Sequence, residues 1–160
     1  MTSVTASALA AQPFLRGLPP VQLGNLARLA QHVRVPAGQR LFDENATADQ
    51  FWIIDAGRVR LDASVPGLGP VAIETLVRND VIGLSWMHPP YQWRFGAIAV
   101  QPLQAYVFDA RAVRAACDTD PMLGYELSIR FFAAVTRRLQ ATRARLLETR
   151  ALESVREPGE

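Results

Sequence analysis

Turn-forming residues recur between Pro36 and Phe108, and this rhythm constrains the fold more than any other feature of the sequence. Glycine and proline break the region about every eight to twelve residues, and the pieces between them are short and apolar. Residues 51–54, Phe-Trp-Ile-Ile, are one such piece. Regular breaks of this kind are typical of antiparallel sheets. We therefore predict a mainly β fold, an antiparallel barrel or sandwich.

The predicted elements follow from local patterns. Val59 and Leu61 alternate with polar residues and are expected to face inward from one strand. The segments at 96–100 and 103–108 are predicted to pair with each other across Gln101 and Pro102. The predicted strands cover residues 40–42, 51–54, 58–62, 71–77, 96–100 and 103–108, and the predicted helices cover 19–33, 110–117 and a long stretch that begins after Asp120.

The long C-terminal helix has a clear start and no internal break. Asp120 is a favourable N-cap, and Pro121 suits the first helical position. No proline or glycine interrupts the chain between Gly124 and Glu157. At about 1.5 Å per residue, the helix can run for roughly 50 Å.

A heptad pattern on this helix predicts a helix partner. Its members are spaced alternately by four and three residues, which is the seam of a coiled coil. They are Ser128, Phe132, Val135, Leu139, Thr142, Leu146 and Thr149. Identical seams match each other about a two-fold axis, so a homodimer through this helix is expected. In the alternative, the seam packs on the chain's own barrel.

The length of 160 residues is that of one domain, which we divide into four parts. Residues 1–12 are predicted to be a flexible tail, residues 13–118 the β-barrel with its flanking helices, residues 119–156 the dimerisation helix and residues 157–160 a second tail.

Composition favours a cytoplasmic protein and argues against a membrane or a nucleic-acid partner. Cys117 is the single cysteine, so no intrachain disulfide can form. The N-terminal residues lack the pattern of a secretory signal, and no segment has the apolar length of a membrane span. The net charge of +2 is too small to argue for nucleic acid. Glutamates are interspersed among the arginines of the last helix, so direct DNA binding by this chain is not expected.

Residues 81–100 carry the densest cluster of chemically distinctive side chains. The segment holds three tryptophan or tyrosine residues, Trp86, Tyr91 and Trp93, beside the single cation Arg94. A guanidinium without a local acidic neighbour either lies on a rim, pairs with a distant carboxylate or waits for an anionic ligand. The aromatic side chains either fill a pocket or stack on a ligand. We expect any ligand site to lie here.

Several motifs in order resemble the cyclic-nucleotide-binding domain, the effector domain of the catabolite activator type, over residues 13–147. The residues that carry this resemblance are the Phe-Leu-Arg-Gly-Leu of 14–18, the Pro-Ala-Gly-Gln of 36–39, the hairpin of 51–59, Gly83 and Arg94 eleven positions apart, and the Arg-Arg-Leu-Gln of 137–140 followed by Thr142. The resemblance implies a mainly β fold, an antiparallel double-stranded β-helix (jelly-roll) barrel with flanking helices and a long C-terminal helix. It implies cAMP or cGMP, or another small anion, as the ligand.

Carried over position by position, the resemblance implies a phosphate contact for Arg94, a backbone contact at Gly83 and a base contact for Thr142. It also implies two lost contacts. Leu84 stands where the family has a glutamate that accepts a ribose hydroxyl, and Phe95 stands where a small hydroxyl residue helps to hold the phosphate. The candidate pocket residues are Gly83, Leu84, Ser85, Trp86, Arg94, Phe95 and Thr142.

Two functional hypotheses remain open. The first is a regulatory module that senses a ligand, with altered or lost cAMP and cGMP recognition, and signals through its C-terminal helix to a regulated protein. The second is a ligand-free interaction protein whose pocket is filled by Trp86 and Phe95. An enzyme is not expected: Ser85 has no accompanying acid and histidine in the order of a hydrolase, and the spacing of His32 and His88 does not support a metal site.

Overall fold

The computed structural model describes residues 2–156, which form nine strands and four α-helices. The strands are β1 (Thr2–Ser3), β2 (Ala30–Val35), β3 (Arg40–Phe42), β4 (Gln50–Ala56), β5 (Val59–Val65), β6 (Gly69–Leu76), β7 (Val81–Ile82), β8 (Gly96–Ala99) and β9 (Leu103–Asp109). The helices are α1 (Ala6–Ala10), α2 (Pro20–Arg28), α3 (Ala110–Thr119) and α4 (Pro121–Arg156). The predicted tail at 157–160 lies outside the described residues.

The strands form two antiparallel sheets that share one core. One sheet has the order β1-β2-β9-β4-β7, and the other has the order β3-β8-β5-β6. Ile53 and Phe108 of the first sheet are fully buried in the same core as Val59 of the second sheet. The predicted antiparallel jelly roll with flanking helices and a long C-terminal helix is therefore confirmed. Within residues 2–156 the strands make two separate sheets and not a closed barrel.

The predicted pairing of the last two strands is wrong. β8 pairs with β3 and β5, whereas β9 pairs with β2 and β4, so the chain changes sheets at Gln101 and Pro102. A two-residue separation suggests a hairpin. Pro102, however, has no backbone N–H to donate and holds a fixed φ, which favours a change of direction over a ladder.

Residues 2–12, predicted to be a flexible tail, include strand β1 and helix α1. Strand β1 pairs with β2, with Ser3 opposite Gln31, and Leu9 of α1 is fully buried. A strand of two residues and a helix of five are too short to give a periodic pattern. The next helix, α2, ends at Arg28, earlier than predicted, because the chain from Ala30 onward pairs with β9.

An ion pair between the half-buried Arg40 and the buried Asp62 ties β3 to β5 across β8. The guanidinium of Arg40 donates two hydrogen bonds to Asp62, at 2.8 and 3.1 Å, and Asp62 is buried. Both side chains lie over Gly96 of the intervening strand β8, where a side chain would collide with them. The hydrogen bond to Asp62 raises the pKa of Arg40. Glycine at position 96 therefore leaves the space in which this bridge forms.

Helix α4 begins against the core and then leaves it. The Asp120 carboxylate accepts hydrogen bonds from the backbone N–H groups of Met122 and Leu123, as expected for an N-cap. The first turns bury one face of the helix in the core, with the side chains of Leu123, Leu127, Phe131 and Ala134. Every described residue from 139 to 156 is exposed. In residues 2–156 no helix, α4 included, is both long and apolar enough to cross a membrane.

Candidate ligand-binding cleft

A cleft of about 300 Å³ lies between the sheet β3-β8-β5-β6, the loop between β7 and β8, and helix α4. The sheet contributes Phe42, Leu61, Ile73 and Glu74; the loop contributes Gly83, Leu84, Ser85, Trp93, Arg94 and Phe95; and α4 contributes Val135, Arg138, Leu139 and Thr142. Three distant parts of the chain therefore build one site. Most of these side chains are apolar, with charge concentrated at Arg94, Glu74 and Arg138.

Six of the seven predicted pocket residues line this cleft, and Trp86 does not. Trp86 is fully buried in the core, where its ring stacks on Phe51 at 4.6 Å and meets the edge of Phe131 at 5.2 Å. Its neighbour Ser85 faces the cleft, because the short 3-10 turn at Ser85–Met87 sends successive side chains in different directions. The hypothesis that Trp86 fills the pocket is therefore wrong. Phe95 lies at the edge of the cleft and is 41% exposed.

Gly83 is required by its backbone and by its neighbour. Its φ of +89° lies in the left-handed region that side chains disfavour, and a β-carbon there would sit 2.7 Å from the ring of Trp93. Trp93 is itself buried, stacked on Phe42 with ring centroids 3.9 Å apart. Because Gly83 has no side chain, the ring of Trp93, which lines the cleft, can lie close to the backbone at position 83.

We expect Gly83→Ala to lower the free energy of unfolding by about 2 kcal/mol or more, because strained backbone and a displaced Trp93 ring add together. Urea denaturation followed by circular dichroism measures this. Gly24→Ala is the matched control, since Gly24 lies in α2 with no atom within 4 Å of the added carbon. This control should be neutral or stabilising, by up to about 1 kcal/mol. Equal stability of the two variants would contradict the assigned role of Gly83.

Arg94 is an exposed cation at the mouth of the cleft. Within residues 2–156, no carboxylate lies within 4.0 Å of its guanidinium, in contrast to Arg40 and Arg138. Of the three situations that the sequence left open for Arg94, pairing with a carboxylate is not observed among residues 2–156, and the exposed side chain leaves the rim and the anionic ligand as the two that remain. A guanidinium in this position can donate paired hydrogen bonds to a carboxylate or a phosphate.

Arg138 and Glu74 form a second charged group, deeper in the cleft, that the sequence did not predict. The two side chains are 20% and 17% exposed, and Nε of Arg138 lies 3.8 Å from Oε2 of Glu74. The guanidinium of Arg138 also donates a hydrogen bond to the carbonyl of Val81, just before the loop. Burial lowers the pKa of Arg138, while Glu74 and Asp80 oppose this shift. Arg138 therefore connects α4 to β6 and to β7.

A periodic signal could have identified Arg138. The buried positions of α4 are Leu123, Leu127, Phe131 and Ala134, and the next residue on that face is Arg138. An arginine on the buried face of an amphipathic helix needs a partner, which is a sign of function or of an internal ion pair. Glu74 gives a weaker signal. It lies opposite Leu61 in the β5–β6 ladder, and that pairing is not readable from the sequence.

The two-sheet jelly roll, the loop with Gly83 and Arg94, and the long helix beside them together enclose the cleft. The family model described as "Cyclic nucleotide-binding domain" matches residues 32–120, more than half of the chain, and the chain belongs to this family. Among curated proteins, none matches this sequence.

Solved structures share the fold. A protein of Geobacter metallireducens GS-15 described as cyclic nucleotide-binding is 25% identical, with a TM-score of 0.78 over 85% of this chain and 98% of its own. A cyclic nucleotide-binding domain from Methylobacillus flagellatus KT is 21% identical, with a TM-score of 0.74 over 89% of this chain and 76% of its own. The regulatory subunit of a cAMP-independent protein kinase A from Trypanosoma brucei is 15% identical, with a TM-score of 0.64 over 82% of this chain and 44% of its own.

Proposed function

We propose that this chain is a non-enzymatic, cytoplasmic regulatory module that senses a small anion and signals through α4. One observation carries the proposal: α4 is itself a wall of the cleft, through Val135, Leu139 and Thr142. A ligand in the cleft therefore contacts the helix directly. If the ligand favours one position of α4, binding shifts the helix toward that position, and a partner protein can read the change.

Recognition of cAMP and cGMP is altered in this proposal. Leu84 lines the cleft and accepts no hydrogen bond, so a ribose hydroxyl facing it would lose a partner, at a cost of about 1–3 kcal/mol. The ring of Phe95 stands beside Arg94 at the mouth of the cleft. The Trypanosoma brucei relative, described as cAMP-independent, supports the idea that this fold serves proteins that do not respond to cAMP.

The partner we propose for α4 is a second copy of the chain. The heptad residues Phe132, Val135, Leu139 and Leu146 are all exposed, between 45% and 73%, although they are large and apolar. Their spacing by three and four residues makes the stripe self-complementary about a two-fold axis. Val135 and Leu139 belong both to this stripe and to the cleft. Ligand binding and dimerisation would therefore be thermodynamically linked.

Calorimetry with cAMP and cGMP tests the proposed function. We expect dissociation constants of about 30 μM to 5 mM, because losing roughly 2–5 kcal/mol of contacts weakens a micromolar site by about 30- to 5,000-fold. Arg94→Ala should abolish the remaining binding. Arg111→Ala, which removes an exposed arginine of α3 away from the cleft, should leave it unchanged. Sedimentation of the same samples should show a ligand-dependent shift in the dimer constant. Binding that survives Arg94→Ala would refute the site.

The alternative function is a ligand-free interaction protein, and the observation that favours it is the exposed apolar stripe of α4. Under this alternative the stripe binds a partner constantly and the cleft has no ligand. A dimer constant that stays the same with every anion tested would favour it over the sensor.

A further inference from the structure

Among the described residues, one charged side chain of the cleft lacks a partner of opposite charge. Glu74 lies 3.8 Å from Arg138, and the same guanidinium is further satisfied by the carbonyl of Val81. This deep pair therefore needs no charge from a ligand. Arg94 has no carboxylate within 4.0 Å in the described part of the chain, so it is the one lining cation whose charge is uncompensated. The cleft is therefore complementary to a single anionic group placed at its mouth.

The rest of the wall is poor in hydrogen-bonding groups. The apolar lining of the cleft includes Leu61, Leu84 and Leu139, together with the ring of Trp93. The uncharged polar side chains in the lining are the hydroxyls of Ser85 and Thr142. A sugar carries several hydroxyl groups that each need a partner when buried, and the uncharged side chains of this wall offer only two hydroxyls. An apolar body loses nothing by entering it and gains from leaving water.

We propose that the cleft selects an amphipathic carboxylate-like anion, with one anionic head on Arg94 and an unbranched or aromatic hydrocarbon body in the cleft, in preference to a cyclic nucleotide. The volume of about 300 Å³ corresponds to roughly ten water molecules of liquid, which suits a body of about ten carbon atoms. This inference rests on the proposed sensing function and names the ligand class of the same cleft.

The experiment is calorimetry of the full chain with five probes: decanoate, 2-naphthoate, the neutral 2-naphthol, cAMP and cGMP. At least one carboxylate should bind ten-fold or more tightly than either cyclic nucleotide, and the stronger of the two distinguishes an aliphatic from an aromatic body. 2-Naphthol should bind at least ten-fold more weakly than 2-naphthoate, because it lacks the charge that Arg94 recognises. These comparisons use the unaltered protein, so they do not depend on a variant that folds.

Two pairs of variants test the recognition of the anionic head and of the hydrocarbon body separately. Arg94→Ala should weaken carboxylate binding ten-fold or more, whereas Arg111→Ala should not. Leu84→Glu should also weaken carboxylate binding ten-fold or more, because it places a second carboxylate in the apolar wall. Leu84→Ser is a milder change at the same position and should weaken carboxylate binding less. Tighter binding of cAMP or cGMP than of both carboxylates overturns this inference and leaves the sensing function standing. Equal binding of 2-naphthol and 2-naphthoate overturns it as well. No binding by any probe at 10 mM overturns both this inference and the sensing function.

Discussion

Trp86→Ala is expected to lower the free energy of unfolding by about 3–5 kcal/mol, the usual cost of removing a fully buried large aromatic side chain. The ring has no exposed surface, and it stacks on Phe51, which stacks in turn on Phe108 at 4.6 Å. Its edge contact with Phe131 joins this stack to α4. Losing the ring leaves a cavity where the sheet, the loop and the helix meet. Since domains are commonly stable by about 5–15 kcal/mol, urea denaturation should show a large shift in midpoint.

Trp86→Phe is the control for this prediction, and it should cost much less than alanine. Phenylalanine keeps most of the stack. It also removes the indole N–H of Trp86, which is buried and has no hydrogen-bond partner within residues 2–156, so part of the loss is offset. We expect a decrease below about 2 kcal/mol. If Trp86→Ala lowers the free energy of unfolding by less than about 1 kcal/mol, the result would contradict the position of Trp86 in the core. It would favour the position in the cleft that the sequence predicted.

The local features of the fold were predictable from the sequence, and its long-range pairings were not. The cap at Asp120 and the inward-facing Val59 and Leu61 depend on neighbouring residues, which a linear pattern records. The sheet change after β8 depends on which distant strands offer an edge. Strand β1 is two residues long and exists because β2 offers such an edge. Short elements of this kind are determined by tertiary pairing and leave no periodic signal.

The cleft residues likewise divide into those that local sequence predicted and those that depend on long-range contacts. Gly83 and Arg94 were predicted because they lie in one short stretch with a recognisable spacing. Glu74 and Arg138 come from a strand and a helix that meet only in the folded chain. Trp86 was assigned wrongly because sequence neighbours were assumed to share a surface, whereas the 3-10 turn directs Ser85 into the cleft and Trp86 into the core. Linear proximity thus identified the loop but not the direction of each side chain.

Leu146→Glu is expected to weaken the proposed dimer by about 10²- to 10⁴-fold. Two copies of Leu146 would face each other across the two-fold axis, and burying a leucine side chain contributes about 1.5–3 kcal/mol, so the pair contributes roughly twice that. Glutamate removes this contribution and places two like charges together. Sedimentation equilibrium over a range of protein concentrations measures the effect. The average mass should fall from twice 17.6 kDa toward 17.6 kDa.

Leu147→Glu provides a matched control on the adjacent residue. Leu147 is 58% exposed and Leu146 is 55% exposed, so the two substitutions change equally accessible leucines of the same helix in the same way. They differ by about 100° around the helix, which puts Leu146 on the heptad seam and Leu147 off it. Neither residue lines the cleft, so ligand binding does not complicate the result. A monomeric unaltered chain at tens of micromolar, or equal weakening by both variants, would show that this seam is not the interface.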